Sequence, residues 1–406
     1  MDEVPPATRS KCGKQSRETP SPLDGATSSV YVHAPFCARR CFYCDFAVTV
    51  DREGGHDAWL RAVSGEWDQI LREELFSFPE PLDTLYVGGG TPSLLGTDAM
   101  DGLASVFGPR LLSHPFLEWT AEANPESFTP GIARAWREAG VNRVSLGVQS
   151  FHEPSLRWMG RLHGSAGAAE AVRNARQAGF GNVSADLIFG LPGHLARDWG
   201  DDLERLLDLG VEHMSLYGLT VEPRTPLGRA VAGGRERVAS EGRYRDEYRA
   251  AVERLTGAGY LHYEVSSFAI PGRESRHNEV YWSGRPYLGL GNGAHSFRKP
   301  LRRWNLRDWK EYSTSVAKGD SAIAGHELLE RAELRLERIW LGLRARRGVS
   351  IASIPARAAA VTERWMRRDW ARAEAGRLRL TVEGWLLLDA LAIELDEAVT
   401  NRRNRE

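Results

Sequence analysis

Three of the four cysteines fall within eight residues, a spacing that points to metal or cluster chemistry. Cys37, Cys41 and Cys44 form the pattern C-x3-C-x2-C directly after a short β-branched run. Three thiols cannot all pair as disulfides, whereas thiolates that converge from one loop suit a soft metal or an iron–sulfur cluster. A structural zinc site needs a fourth ligand at comparable spacing, and His33 and Asp45 stand at poor positions for it. An iron–sulfur cluster is therefore the favoured interpretation.

The remaining cysteine, Cys12, lies in a stretch of different composition. Residues 1–29 are rich in Pro, Ser, Thr and charged residues and hold hardly any large apolar side chain. Such a segment buries too little surface to offset its ordering entropy. We predict a disordered tail over residues 1–29, and we do not expect Cys12 to be a cluster ligand.

Other candidate residues stand where predicted strands end. Strands predicted at 29–33, 82–87, 117–123, 143–148, 183–189 and 213–219 alternate with helices near 97–107, 129–139, 165–178 and 197–209. This alternation predicts an α/β fold with a parallel sheet. In parallel barrels the active site collects at the carboxyl ends of the strands. The cysteines, the Gly-Gly-Gly-Thr run at 88–91, Glu122, Gln149 and Asp186 all lie at or just beyond such an end.

The setting of the cysteines, Tyr31-Val-His-Ala-Pro-Phe-Cys37, resembles the signature of radical S-adenosylmethionine (radical SAM) enzymes. Within them it is similar to the branch that holds oxygen-independent coproporphyrinogen dehydrogenases and HemW-type haem chaperones. The resemblance runs from about Val30 to the C-terminus. It implies a partial (β/α)6 radical SAM barrel followed by a C-terminal α+β winged-helix-like domain.

The same resemblance implies the cofactors and their ligands. In that family three cysteines bind a [4Fe–4S] cluster, the amino and carboxylate groups of SAM chelate its open iron, and the reduced cluster passes one electron to the SAM sulfonium. The metal ligands would be Cys37, Cys41 and Cys44. The residues implied to contact SAM are Tyr31, Tyr43, Gly89, Gly90, Thr91, Glu122, Gln149, Arg161, Asp186 and Thr220.

A second motif, His277-Asn-x-x-Tyr-Trp282, resembles one of the HemW-type chaperones in which the histidine is implicated in haem binding. From the residues alone, His277 is either a packed core histidine or an iron ligand, and His295 is a competing ligand. Imidazole is a common axial ligand of haem, and aromatic rings suit a porphyrin face. We therefore predict His277 as a haem ligand. The other predicted parts of this site are Tyr281 and Trp282 as apolar wall and Arg276 or Arg285 beside the propionates.

Three function classes compete: a haem chaperone, a coproporphyrinogen III dehydrogenase or oxidase, and a radical SAM methyltransferase of the same branch. The dehydrogenases resemble C-x3-C-x2-C-x-C, but position 46 of this chain is Phe46. This difference and the His277 motif favour a chaperone that binds haem and delivers it to an acceptor protein. It would also need an electron donor for the cluster. Whether the chain is an enzyme and whether it forms a homodimer stay open.

Composition restricts the remaining possibilities. The 406 residues are 42% hydrophobic and 26% charged with a formal net charge of −1, which argues against a nucleic-acid partner. No stretch approaches the apolar length of a membrane span, and clustered unpaired cysteines fit a reducing compartment, so a cytoplasmic location is predicted. The predicted domains are a tail (1–29), a barrel (30–265), an ordered loop layer carrying the haem motif (266–325) and a winged-helix-like domain (326–406).

Overall fold

The structure is a computed structural model that describes residues 26–51, 55–73, 75–78 and 81–400. Most of the predicted tail, including Cys12, lies outside these residues, as do the last six residues of the predicted C-terminal domain. The tail was predicted to extend to residue 29, but Thr27 and Ser29 are buried, and Thr27 N donates to Ser77 O at 2.8 Å. Packed structure therefore begins before the predicted boundary.

Strands and helices alternate through the first two thirds of the chain. The strands are β1 Ser29–Ala34, β2 Phe36–Cys37, β3 Thr49–Val50, β4 Thr84–Gly89, β5 Glu118–Ala123, β6 Arg143–Gln149, β7 Val183–Phe189 and β8 His213–Gly218. The helices are α1 His56–Glu73, α2 Ala99–Leu111, α3 Pro130–Ala139, α4 Glu153–Met159, α5 Gly164–Gln177, α6 Trp199–Asp208, α7 Pro226–Ala232 and α8 Glu241–Gly257.

Six of these strands, β1 and β4 to β8, lie side by side in chain order and are all parallel. Most of their residues are buried, as expected for parallel strands covered by helices. Amphipathic helices supply that cover: α1 buries Trp59, Val63 and Trp67. The predicted α/β fold with six parallel units is confirmed, and each unit delivers its carboxyl end to the same edge.

The predicted loop layer, residues 266–325, falls within a segment, 261–328, much of which is regular. It contains β9 Leu261–Glu264, β10 Ser267–Ala269, α9 Arg276–Ser283, β11 Leu288–Leu290, β12 His295–Arg298, β13 Leu301–Asn305, α10 Trp309–Ala317 and β14 Ile323–Leu328. β11 pairs parallel with β1, and β10 pairs antiparallel with β8, so the sheet has nine strands. These elements are short, and a three-residue strand shows no periodicity that a sequence pattern can detect.

A buried carboxyl group fastens this segment to the barrel. Glu66 of α1 accepts hydrogen bonds from Gly291 N at 2.8 Å, Asn305 Nδ2 at 2.5 Å and Tyr312 OH at 2.6 Å. Burial raises the pKa of Glu66 to about 7. The loop before His295 is thereby held against α1, the first helix of the barrel.

The C-terminal domain has its own apolar core. Its elements are α11 Arg331–Arg344, β15 Val349–Ser350, α12 Ala359–Arg367, β16 Ala371–Glu374, β17 Arg377–Leu380, α13 Val382–Trp385 and α14 Leu388–Thr400. The strands form a three-stranded antiparallel sheet, and Leu343, Trp365 and Leu391 are buried between it and the helices. This is the α+β content that was predicted. No helix in the described part of the chain is long and apolar enough to cross a membrane.

Candidate functional site

The carboxyl ends of the parallel strands open into one cavity of about 1430 Å³. The C-terminal domain covers its open side with Trp340, Leu387 and Asp389, as expected for a module that closes the barrel mouth. All three cysteines and all ten predicted SAM-contacting residues line this cavity: Cys37, Cys41, Cys44, Tyr31, Tyr43, Gly89, Gly90, Thr91, Glu122, Gln149, Arg161, Asp186 and Thr220. Residues that are far apart in the sequence are therefore gathered at one place.

The loop that carries the cysteines is fixed by backbone hydrogen bonds. β2 pairs with β3, and Asp51 N donates to Cys37 O at 3.0 Å. In the middle of the loop, Phe42 N donates to Met159 O at 3.1 Å, and Phe42 O accepts from Leu227 N at 2.9 Å. The cysteines are free thiols and half-buried at the cavity wall.

The chemistry of these three sulfurs fits an iron–sulfur cluster. Each accepts one hydrogen bond: Cys37 from Thr91 Oγ1 at 3.5 Å, Cys41 from Arg161 Nη1 at 3.8 Å, and Cys44 from Phe46 N at 3.4 Å. Hydrogen bonds to ligating sulfurs are a means by which proteins tune such clusters. In the described residues, no three His, Cys, Asp or Glu side chains are grouped to hold a single metal ion. Three thiols on one loop, each with a hydrogen-bond donor beside it, are a donor set that suits an iron–sulfur cluster.

A chain of hydrogen bonds connects Cys37 with Cys41 through Asn124. Thr91 Oγ1 accepts from Asn124 Nδ2 at 3.1 Å, and Asn124 Oδ1 accepts from Arg161 Nη2 at 2.7 Å. Asn124 was not among the predicted site residues. The sequence signal that identifies Asn124 is its position two residues beyond Glu122, directly after β5.

Two carboxyl groups deep in the barrel give the cavity an acidic floor. Glu122 accepts from Tyr86 OH at 2.7 Å and from Gly89 N at 3.0 Å, and Asp186 accepts from Ser145 Oγ at 3.3 Å. Burial raises the pKa of Glu122 and raises that of Asp186 to about 6. Ionised carboxylates here can bind an ammonium group or ribose hydroxyls, and both features occur in SAM.

Glycine is required where β4 reaches the cavity. Gly89 has a φ of 110°, and a Cβ at this position would lie 2.3 Å from the His33 ring. Both ring nitrogens of His33 have partners within the protein: Nδ1 lies 3.0 Å from Tyr31 OH, and Nε2 lies 3.0 Å from Ala47 O. This geometry agrees with the sequence argument that His33 is not a metal ligand.

His277, the predicted haem ligand, is not among the residues that line the cavity. The side chain is buried, with Nδ1 2.8 Å from Thr84 Oγ1 and Nε2 2.9 Å from Tyr281 OH. Burial lowers its pKa to about 3. Both ring nitrogens are therefore engaged inside the protein. The environment of His277 is that of a packed, hydrogen-bonded core histidine.

The competing histidine, His295, has the accessible position. It begins β12, is exposed, and lines the cavity. Its ring stacks on Trp304 with centroids 5.9 Å apart. The two residues of the predicted aromatic wall line different spaces. Tyr281 lines this cavity, and Trp282 lines a smaller neighbouring pocket.

The acidic floor leads to a prediction about stability and pH. The folded-state pKa of Asp186, about 6, lies above the ordinary value of 3.8, so ionising it opposes folding. The penalty grows as the pH rises between those two values and persists above them. We expect Asp186→Asn to increase the free energy of unfolding of the full-length, ligand-free chain by about 2 kcal/mol at pH 8. The gain in stability should vanish below about pH 4, where Asp186 becomes neutral in both the folded and the unfolded chain.

Urea denaturation at pH 8 and pH 4 checks this prediction. Asp201→Asn is a matched control, because Asp201 lies on the surface of α6 and should change stability by less than about 0.5 kcal/mol. An Asp186→Asn chain that is less stable than the unchanged chain at pH 8 would contradict the argument.

Comparisons with known proteins identify the relatives of this chain. The family described as the Radical SAM superfamily matches residues 31–206. The protein named "Heme chaperone HemW" from Mycobacterium tuberculosis is 36% identical over 374 residues, covering 91% of this chain and 95% of that protein. The protein of the same name from Lactococcus lactis is 35% identical over 325 residues, covering 80% and 83%. Among solved structures, coproporphyrinogen III oxidase (HemN) from Escherichia coli, a radical SAM enzyme, superimposes with a TM-score of 0.75 at 20% identity. That match covers 91% of this chain and 90% of that chain. The last likeness confirms the predicted radical SAM fold.

Proposed function

Because the chain belongs to the HemW family of radical SAM proteins, we propose that it is a haem chaperone. In this proposal it binds a [4Fe–4S] cluster, SAM and haem, and it delivers haem to an acceptor protein. The observation that carries the proposal is the cavity that is lined both by the three cysteines and by residues of the C-terminal domain. Its free thiols suit a reducing compartment such as the cytoplasm.

The part of the cavity that is lined by the cysteines would provide the cofactor site. Cys37, Cys41 and Cys44 would hold the cluster, which when bound supplies one-electron reduction of SAM. Glu122 is oriented by Tyr86 and Gly89, so that it would accept hydrogen bonds from the SAM amino group. Asp186 stands on β7, two strands away from β5, and would accept hydrogen bonds from the ribose.

Arg161 would bind the SAM carboxylate. Its Nη2 is held by Asn124 Oδ1 and by Gly147 O at 2.6 Å, whereas its Nε is buried without a hydrogen-bond partner among the described residues. A guanidinium that is fixed by these bonds and lines the cavity is positioned for an anionic ligand. Thr91 and Asn124 connect this arginine to the cysteine sulfurs, so SAM and the cluster would share one hydrogen-bonded network.

The mouth of the cavity supplies what a haem needs. Haem requires an iron ligand and extended apolar faces. Tyr287 and Leu387 line this region with Trp340, and His295 is the exposed histidine among the lining residues. We therefore propose His295 as the iron ligand in the cavity, and His277 as the residue that fixes α9 behind it.

We expect no appreciable conversion of coproporphyrinogen III. The dehydrogenase pattern has a fourth cysteine where this chain has Phe46, whose side chain is 61% exposed and lines the cavity. A phenyl ring offers neither the thiol nor the polarity of that cysteine. Anaerobic incubation of the cluster-loaded chain with SAM, a reductant and coproporphyrinogen III, followed by product analysis, tests the assignment. Robust formation of protoporphyrinogen would replace the chaperone with the oxidase.

A further inference from the structure

The arginine that begins β6, Arg143, is buried inside the barrel but is not part of the cluster and SAM site described above. Its side chain is 2% exposed and does not line the large cavity. Val144 and Leu146 of the same strand pack in the apolar core, so the alternation along the strand points Arg143 and Ser145 into the barrel. Because β6 begins at Arg143 and the cavity lies at the carboxyl ends of the strands, Arg143 lies below the acidic floor.

The guanidinium of Arg143 has no ion-pair partner. Its Nε is buried without a hydrogen-bond partner, and within the described part of the chain no carboxylate lies at ion-pair distance from it. Glu118, on the inward face of β5, already accepts from the backbone N–H groups of Arg276 at 3.1 Å and His277 at 2.9 Å. Burying an unpaired cation costs free energy. The stability of the barrel therefore does not explain an arginine at position 143.

The titratable groups around Arg143 leave two carboxyl groups as its counter-charges. Its charge acts on groups from six elements: Tyr86 of β4, Glu122 of β5, Asp186 of β7, His213 of β8, Tyr263 of β9 and His277 of α9. Burial raises the pKa of the two tyrosines and lowers that of the two histidines, so these four side chains are neutral. Burial also raises the pKa of Glu122 and Asp186, and their hydrogen bonds and the Arg143 charge oppose that rise.

Strand register places Arg143 beneath these two carboxyl groups. Arg143 lies opposite Thr120 of β5, two residues before Glu122, and Ser145, two residues after Arg143, donates to Asp186 at 3.3 Å. Two residues along a strand span about 7 Å. Charges at such a separation do not form a salt bridge, but they interact effectively in a buried, weakly screened site. A cation placed there stabilises ionised carboxylates and leaves their oxygens free to bind a ligand.

We propose that Arg143 is a positioning residue of the SAM site, whose fixed charge keeps Glu122 and Asp186 ionised before SAM binds. Arginine suits this role because it stays protonated at every pH at which the protein is folded. An ionised floor is the form that attracts the ammonium group of SAM and accepts hydrogen bonds from its ribose. The inference takes SAM as the ligand from the proposed function, and it adds the residue that sets the pH range over which SAM binds.

SAM binding to the cluster-loaded, full-length chain, measured by equilibrium dialysis at pH 6.5 and pH 8.5, tests the inference. Arg143→Met removes the charge at similar volume and should raise the pKa of the floor carboxyl groups by about one unit. SAM should then bind about threefold to tenfold more weakly at pH 6.5, where the floor is partly protonated, and within about twofold of the unchanged chain at pH 8.5. Arg143→Lys should restore the profile of the unchanged chain. Arg134→Met, on the exposed side of α3, is the matched control.

Urea denaturation of the ligand-free chain provides a readout that needs neither SAM nor the cluster. The stability gained through Asp186→Asn grows with pH only until Asp186 is ionised in the folded chain, so it should level off at about pH 6. In an Arg143→Met background it should level off at about pH 7, because the pKa of Asp186 is higher there.

Two results would overturn the inference. One is a loss of SAM affinity in Arg143→Met that is equal at both pH values, since that is the result of a structural role. The other is a stability gain from Asp186→Asn with the same pH dependence in both backgrounds. Absence of SAM binding by the unchanged, cluster-loaded chain would instead reject the proposed function, and the urea experiment would still decide whether Arg143 keeps the floor ionised.

Discussion

Replacing Cys41 by alanine should abolish cluster binding. After anaerobic reconstitution, the unchanged chain should hold about four irons and the Cys41→Ala variant almost none. The physical reason is the number of ligands: three sulfurs line the cavity, and the described residues offer no fourth cysteine that would replace one of them. Cys37→Ala and Cys44→Ala should behave in the same way. Iron analysis and the absorption spectrum of the reconstituted protein provide the measurement.

Cys12→Ala is the matched control for these variants, and it should load iron normally. Each variant should remain folded, because the cysteine loop is fixed by backbone hydrogen bonds and not by the thiols. Full iron loading of Cys41→Ala would show that the cluster is held elsewhere.

The two histidine variants should fail in different ways. His277→Ala removes a buried ring and leaves Thr84 Oγ1 and the Tyr281 hydroxyl without their partner. We expect the free energy of unfolding to fall by about 2–5 kcal/mol. His295→Ala removes an exposed ring, so stability should change by less than about 0.5 kcal/mol, whereas the haem spectrum should lose its axial histidine signature.

Denaturation of the haem-free chain and absorption spectroscopy of the haem-loaded chain separate these outcomes. His277→Gln provides a further control, because its amide can replace part of the lost hydrogen bonding. A His277→Ala chain that is as stable as the unchanged chain but lacks axial ligation would restore His277 as the iron ligand. Retained ligation in His295→Ala would remove His295 from that role.

The six central parallel strands were predictable because strand-like and helix-like segments alternate along this part of the sequence. The same regularity predicted Glu122 and Gln149 near the carboxyl ends of β5 and β6, whereas Asp186 lies in the middle of β7 and not at its end. β9, β10 and β11 were not anticipated as additions to the sheet, since they are only three or four residues long. Their pairing depends on tertiary contacts such as those of Glu66, which bring distant segments together.

Side-chain direction was the part of the site that the sequence did not determine. The sequence pattern around His277 is compatible with a role as an iron ligand, but α9 turns the His277 ring towards Thr84 of β4. Trp282, on the same helix, lines a smaller neighbouring pocket. Asn124 is the opposite case. It belongs to no motif that predicted a role in the site, yet its side chain connects Thr91 with Arg161. Periodicity identifies which face of an element is buried, whereas the partner that each side chain meets depends on the packed fold.

The central claim is that this chain holds haem, and a haem titration of the cluster-loaded, full-length protein tests it most directly. Absorption spectra should saturate at about one haem per chain, bound in the barrel cavity. The haem in the cavity should remain bound through gel filtration and show histidine ligation. Haem that elutes entirely free of a protein whose cluster is intact would contradict the account.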